Sequence, residues 1–289
     1  MTLSDVYGPG RWGLSFELFP PKTEAGEAEL FRHLADLAKF KPGYITCTYG
    51  AGGSTRAKTL DIVGRVRRQF NCPVASHLTC VGATVDQLRA YLQDAAAEEV
   101  DYIVALRGDP PRGQAEFQAV AGGLSYACDL VQLIRKEFPR FGIAVAGYPE
   151  THREAVSPQA DLENLKRKVD GGGDVVLTQM FYRNDDFHRF VDRCRTAGIN
   201  VPIVPGVLPV TNLAQIKRIA ALCGAQLPNE FLSALESCGD DAEAQFETGV
   251  EFATRQVADL IARGAPGVHF YVLNKSQATA RILTSLRGG

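Results

Sequence analysis

Eight short apolar runs recur along the chain, bounded by Gly, Pro or Asn: residues 14–21, 44–50, 73–81, 101–109, 142–149, 174–182, 202–209 and 267–274. They are rich in Val, Ile, Phe and Tyr and have the length of strands. Between them the apolar period becomes helical. Leu30, Leu34 and Leu37 fall on one stripe, and Leu88 and Leu92 lie four apart. Ser54, Thr84, Ser157 and Asn184 each precede such a stretch as helix-capping residues. A further helix is expected at 225–240, before the last strand.

No linker or charge block interrupts the alternation. It predicts one domain over residues 1–289, of the α/β class: a single (β/α)8 TIM-type barrel with an extra helix before the last strand. The alternative is an open doubly wound sheet. Such a sheet usually carries a glycine fingerprint after its first strand, where this chain has Pro20–Pro21.

Composition narrows the function classes. With 289 residues, 45% hydrophobic and 22% charged, the chain is globular; a net charge of −2 argues against nucleic acid as a partner. The opening MTLSDVYGPGRWG lacks a basic segment followed by an apolar one, and no apolar run spans a membrane, so a cytoplasmic protein without membrane contact is expected. Seven cysteines form no CxxC pair and read as buried thiols. The histidines (33, 77, 152, 188 and 269) show no HxH or HxxxH spacing, so no metal site is expected.

In a β/α barrel the chemistry lies at the C-terminal strand ends, so polar residues interrupting the strands there are informative. In the first strand, alternation sets Ser15 and Glu17 opposite Leu14, Phe16 and Leu18, which aims Glu17 into the barrel. An unpaired carboxylate there would have its pKa raised towards neutrality, as suits a general acid; a salt bridge to an inward cation is the other reading. The fourth strand ends in Leu106–Arg107–Gly108–Asp109–Pro110–Pro111. Arg107 and Asp109 are expected on the inward face, with Gly108 admitting a ligand and Pro110 keeping Asp109 extended; an Asp–Arg pair tying down a loop is the alternative. His77 reads as core or catalyst. Gln179 is unusual in a buried strand, because its amide needs several partners. Tyr148 and His152 follow the fifth strand. Asp161, Asn164 and Lys168 share one helical face, either solvated or the wall of a ligand site.

SFELFPP, ALRGDPP, AGYPETH, TQMFY, PGVLPV and HFYVLN occur in this order. Together they closely resemble the catalytic barrel of the methylenetetrahydrofolate reductase family, from about residue 13 to 286. The resemblance implies a β8α8 barrel that binds FAD at the strand ends. It implies reduction of 5,10-methylenetetrahydrofolate to 5-methyltetrahydrofolate with NADH or NADPH in ping-pong order, and a homo-oligomer. Glu17 then matches the family's acid, and Asp109 the aspartate near flavin and pterin. Gln179 matches the glutamine that binds pterin and nicotinamide. FAD falls to Thr48, His77, Leu106, Arg107, Gly108, Asp109, Tyr126, Tyr148, His152, Asp161, Asn164 and Lys168. Ser15 and Thr46 are weaker matches at the mouth. Leu213 replaces a frequent Phe and Lys275 a frequent Arg at substrate positions, losing ring stacking and a bidentate fork. Two other readings remain: a Schiff-base aldolase using Lys275, and a non-catalytic folate or flavin binder.

Overall fold

The computed structural model describes residues 2–49, 56–110 and 117–287. Eight parallel strands close into a barrel in chain order: β1 (Gly13–Leu18), β2 (Tyr44–Cys47), β3 (Val74–Thr79), β4 (Tyr102–Leu106), β5 (Gly142–Gly147), β6 (Val175–Met180), β7 (Ile203–Val207) and β8 (Gly267–Tyr271). The β1–β8 seam is a full ladder, Gly13 opposite Gly267 through Glu17 opposite Tyr271. This is the predicted TIM-type barrel. Each predicted run coincides with an observed strand that ends earlier; β1 alone starts one residue before its predicted run.

Helices α1 (Glu24–Ala38), α2 (Arg56–Phe70), α3 (Val85–Ala97), α4 (Ala127–Glu137), α5 (Pro158–Asp170) and α6 (Asn184–Thr196) follow β1 to β6 in turn. The predicted stripe Leu30, Leu34 and Leu37 is buried, as are Leu88 and Leu92. Thr84 closes a reciprocal capping box with Gln87, and Ser157 caps α5 through the Ala160 N–H. Asn184 does not cap: it is the first helical residue, with Arg183 in the cap position, and its side-chain amide instead donates to Gln256 and Asp259. Ser54 and Pro111 lie outside the described residues.

Between β7 and β8 come three helices, α7 (Leu213–Cys223), α8 (Asn229–Ser237) and α9 (Ala242–Ala262); α10 (Gln277–Arg287) follows β8. α9 packs against both α6 and α10, so it takes the seventh place in the outer ring. The insertion is therefore the pair α7–α8, one helix more than the sequence predicted. Their apolar faces join Met180, Tyr182, Leu208 and Val210 beyond the ends of β6 and β7, and Phe231 of α8 stacks on Phe252 at 3.8 Å.

The core has two main layers. Leu14, Phe16, Leu18 and their equivalents meet the helices outside the barrel. Inside, Tyr44, Tyr102, Val104, Ala144, Val175, Leu177 and Val204 fill the lower barrel. A 3-10 turn, Ser4–Tyr7, plugs the floor with Val6 and Tyr7. The strand starts make room for it: a Cβ on Gly13 would lie 2.2 Å from the Tyr7 ring, and one on Gly43 2.5 Å from a Val6 methyl. Larger residues there would expel the plug.

Candidate active site at the barrel mouth

Alternation along β1 holds as predicted: Leu14, Phe16 and Leu18 face the helices while Ser15 and Glu17 face inward. Glu17 is 7% exposed. It does not stand alone there. His77 Nε2 of β3 lies 3.2 Å from its Oε2, and His269 Nε2 of β8 lies 3.4 Å from the same atom. The His269 contact is aligned as a hydrogen bond, whereas His77 Nε2 has no aligned partner among the described residues. Thr46 of β2, opposite Glu17 in the ladder, is also buried with its hydroxyl oxygen unpartnered.

This surrounding overturns the expectation of a raised carboxyl pKa. Burial does push Glu17 up, but the two imidazoles together outweigh it and hold the group down at about 2. The two imidazole rings that face its Oε2 thus favour the ionised carboxylate over the protonated one that burial alone would leave. Glu17, His77 and His269 thus form one coupled unit. The reading of Glu17 as an unpaired acid fails because its partners lie 60 and 252 residues away in sequence.

The rim over β4, β5 and β6 has a different character. The inward residues of β4 are Tyr102, Val104 and, at its end, Leu106. Alternation therefore puts Arg107 and Asp109 on the opposite parity from the inward one predicted, and the strand stops at Leu106, with Gly108 at φ +89° just beyond it. Gly108 is required by packing: a Cβ would lie 2.7 Å from a Val81 methyl. Arg107 pairs with Glu154 at 2.7 Å and lies over the Phe117 ring, while Asp109 is exposed. The Asp–Arg pair considered from sequence is replaced by this Arg–Glu pair.

Tyr148 and His152 meet edge to face at 4.6 Å. The Asp161 carboxylate accepts the His152 backbone N–H at 2.9 Å. Lys168 reaches back from α5 to the Ala146 carbonyl at 2.5 Å. Burial lowers its pKa to about 8, and it forms no ion pair among the described residues. The helical stripe is therefore split: Asp161 and Lys168 turn to the rim, whereas Asn164 is exposed and accepts from Arg167. Tyr126, the residue before α4, is 64% exposed.

A bulge in β6 shifts the register between Leu177 and Met180. Thr178 repairs the ladder by accepting the Gly206 N–H at 2.9 Å, and Tyr271 donates to the Thr178 carbonyl at 2.8 Å. Gln179 is left half-buried beside it, its Oε1 accepting the Met180 N–H. Thr48 is half-buried just past β2. Leu213 opens α7, its N–H held by Gln245. Lys275 is exposed beyond a turn in which Leu273 and Asn274 have positive φ.

Residues 3–287 match the family model of methylenetetrahydrofolate reductase. The 5,10-methylenetetrahydrofolate reductase of Escherichia coli K12 is 40% identical over 285 residues, covering 99% of this chain and 93% of that protein. This chain belongs to the methylenetetrahydrofolate reductase family. It spans about half the length of the plant relatives it matches: methylenetetrahydrofolate reductase (NADH) 1 of Arabidopsis thaliana is 40% identical, with 98% of this chain and 50% of that protein aligned. Among solved structures, a protein from Clostridium thermocellum, described as binding two copies of 5-methyl-5,6,7,8-tetrahydrofolic acid, superposes with a TM-score of 0.63 at 14% identity; 98% of this chain and 97% of that chain are covered. That likeness shows the shared fold.

In this chain, the predicted residues fall into two groups. Ser15, Glu17, Thr46 and His77 gather inside β1 to β3, and Arg107, Tyr148, His152, Asp161 and Lys168 at the rim of β4 to β6. Tyr126, Asn164, Leu213 and Lys275 make no side-chain contact with either group among the described residues. His269 and Glu154 were not singled out as site residues. His269 sits inward on β8 by simple alternation with Tyr271, a signal the sequence did carry. Glu154 carried none, since it lies on an irregular segment. No metal-binding cluster of His, Cys, Asp or Glu occurs among the described residues, and no described helix is long and apolar enough to cross a membrane.

Proposed function

We propose that this chain reduces 5,10-methylenetetrahydrofolate to 5-methyltetrahydrofolate, with FAD as bound carrier and NADH or NADPH as donor. The observation that carries the reading is the 40% identity to the E. coli reductase over 93% of that protein. The buried Glu17–His77–His269 unit inside the barrel supports it.

The rim fits a dinucleotide. Lys168 is a half-buried cation whose partner is a carbonyl dipole rather than a carboxylate, an arrangement that favours a bound anion. Lys168 and, once released from Glu154, Arg107 would hold the pyrophosphate. Asp161 would take ribose hydroxyls, with Tyr148 and His152 beside the chain. Thr48, His77, Leu106, Gly108, Tyr126 and Asn164 are assigned to FAD with them. When bound, FAD would accept a hydride from the nicotinamide and deliver it to the folate methylene carbon.

The chain's own part is proton management and orientation. Opening the folate's five-membered ring needs a proton on N10 as the C–N bond breaks. Glu17 would supply it, drawing on the imidazolium beside it. Both histidines approach Oε2, which leaves Oε1 for the substrate. A charged Asp109 near the pterin would favour the cationic iminium that ring opening creates. Gln179 would exchange its internal bond to Met180 for the pterin edge, and Leu213, Lys275 and Ser15 complete the substrate positions. An exposed Lys275 gives the Schiff-base reading no support, because such lysines need a desolvated site.

The test is an anaerobic visible spectrum of the purified protein during titration with NADH, then NADPH, then 5,10-methylenetetrahydrofolate. The reading expects a flavin band that bleaches with a nucleotide and returns with the folate. A protein that stays colourless and inert after incubation with FAD overturns it.

A further inference from the structure

Four buried side chains link the barrel floor to Glu17. Tyr7 of the floor plug donates its hydroxyl proton to the Tyr44 oxygen at 3.1 Å. Tyr7 and Ser15 hydroxyls lie 2.7 Å apart, and Ser15 Oγ lies 2.7 Å from His269 Nδ1. His269 Nε2 then faces Glu17 Oε2 at 3.4 Å. Tyr7, Ser15, Tyr44 and His269 are at most 3% exposed, so water does not substitute for a missing partner.

Counting protons fixes the direction of every bond. Each hydroxyl has one proton to give. Tyr7 spends its own on Tyr44, so the short Tyr7–Ser15 bond must use the Ser15 proton. Ser15 then has only a lone pair for His269, and Nδ1 must carry a hydrogen. A neutral imidazole with Nδ1–H has a bare lone pair at Nε2. That lone pair would face a carboxylate oxygen, acceptor against acceptor, unless a proton lies between them.

We propose that His269 is the proton-holding and positioning partner of Glu17, and that Tyr7 and Ser15 fix its tautomer so that the idle site always retains one proton between His269 Nε2 and Glu17 Oε2. This deepens, and rests on, the proposed acid role of Glu17. On use, the proton passes to the substrate nitrogen. The pair is left as carboxylate and neutral Nδ1–H imidazole, a mismatched contact that drives reprotonation from solvent. The other titratable groups around Glu17 are His77 on β3, Tyr44 and Cys47 on β2 and Tyr271 on β8. The three on β2 and β8 are pushed upward, so they stay neutral near pH 7.

The experiment is nitrogen NMR of the protein as purified, labelled at histidine, with the His269 signal assigned by its loss in His269→Gln. Wild type is expected to show His269 with a hydrogen fixed on Nδ1. In Tyr7→Phe the Ser15 proton is freed to point at Nδ1, and the ring should turn over to the Nε2–H tautomer; Ser15→Ala should do the same, and Ser15→Thr should keep the wild-type signal. The pH limb of the folate half-reaction should move down in Tyr7→Phe by roughly one unit, with nicotinamide oxidation unchanged. A wild-type His269 with its only hydrogen on Nε2, or a Tyr7→Phe spectrum and pH limb identical to wild type, overturns the proposal. The wild-type spectrum decides even if a variant fails to fold. Retained folate reduction in Glu17→Gln would instead overturn the acid role of Glu17, a separate outcome that the His269 tautomer does not affect.

Discussion

The two halves of the barrel interior are built on opposite terms. From β8 through β1 and β2 to β3, inward positions are mainly polar: His269, Ser15, Glu17, Thr46 and His77, with the Tyr7 and Tyr44 hydroxyls beneath and Ala75 as an apolar exception. From β4 to β7 they are mainly apolar, Val104, Ala144, Val175, Leu177 and Val204 with Tyr102 at the base of β4, and charge gathers at the rim, with Arg107 and Lys168 beside Tyr148 and His152. One half can hold and move a proton because its groups are hydrogen-bonded in depth. The other offers a rigid apolar wall carrying cations at its edge, a form suited to binding. A barrel can divide chemistry from binding by sector as well as by height.

Four substitutions test that division, from the largest expected effect downward. Glu17→Gln should slow the folate half-reaction at least about 100-fold while leaving flavin reduction by the nicotinamide near wild type, measured by anaerobic stopped flow. Equal loss of both half-reactions would mean that the polar sector also serves binding. Because the folded Glu17 pKa is about 2 against an ordinary 4.5, its stabilising contribution is present above about 4.5 and is lost as pH falls to about 2. Acid denaturation of Glu17→Gln should lack that part of the wild-type dependence. Leu177→Ala, in the apolar sector, should cost about 2–5 kcal/mol in urea unfolding, with the spectrum of any bound flavin unchanged. Lys168→Met should weaken FAD roughly 10- to 100-fold by fluorescence titration, in line with the loss of one charged contact, and should not shift the pH dependence of the folate step. Asn274→Ala should be mildest, about 1–2 kcal/mol in thermal unfolding. It removes the two bonds, 2.8 and 2.7 Å, that clamp Asn274 to the Phe19 backbone across the β1–β8 seam.

Legibility in the sequence followed the range of the interactions. Strands could be read because Val, Ile and Phe runs state their own burial, and Glu17 because alternation over five residues already turned it inward. Its ionisation could not be read, because that depends on His77 and His269 arriving from other strands. Arg107 and Asp109 were misplaced because nothing in the local run of apolar residues fixed which parity of β4 faces inward; Tyr102, Val104 and Leu106 do. The Tyr7 plug left no mark, since a four-residue turn has no period to detect. The α7–α8 pair read as one helix because α7 directly follows β7 and resembles an ordinary return to the outer ring.

The sealed floor has a consequence for the timing of the reaction. With Val6 and Tyr7 closing the bottom of the barrel, exchange with bulk solvent is confined to the mouth, the same opening a folate must cover to react. On the proposed reading, Glu17 would act as a single-charge device: loaded while the mouth is open, discharged once while it is covered, and recharged only after the product has left.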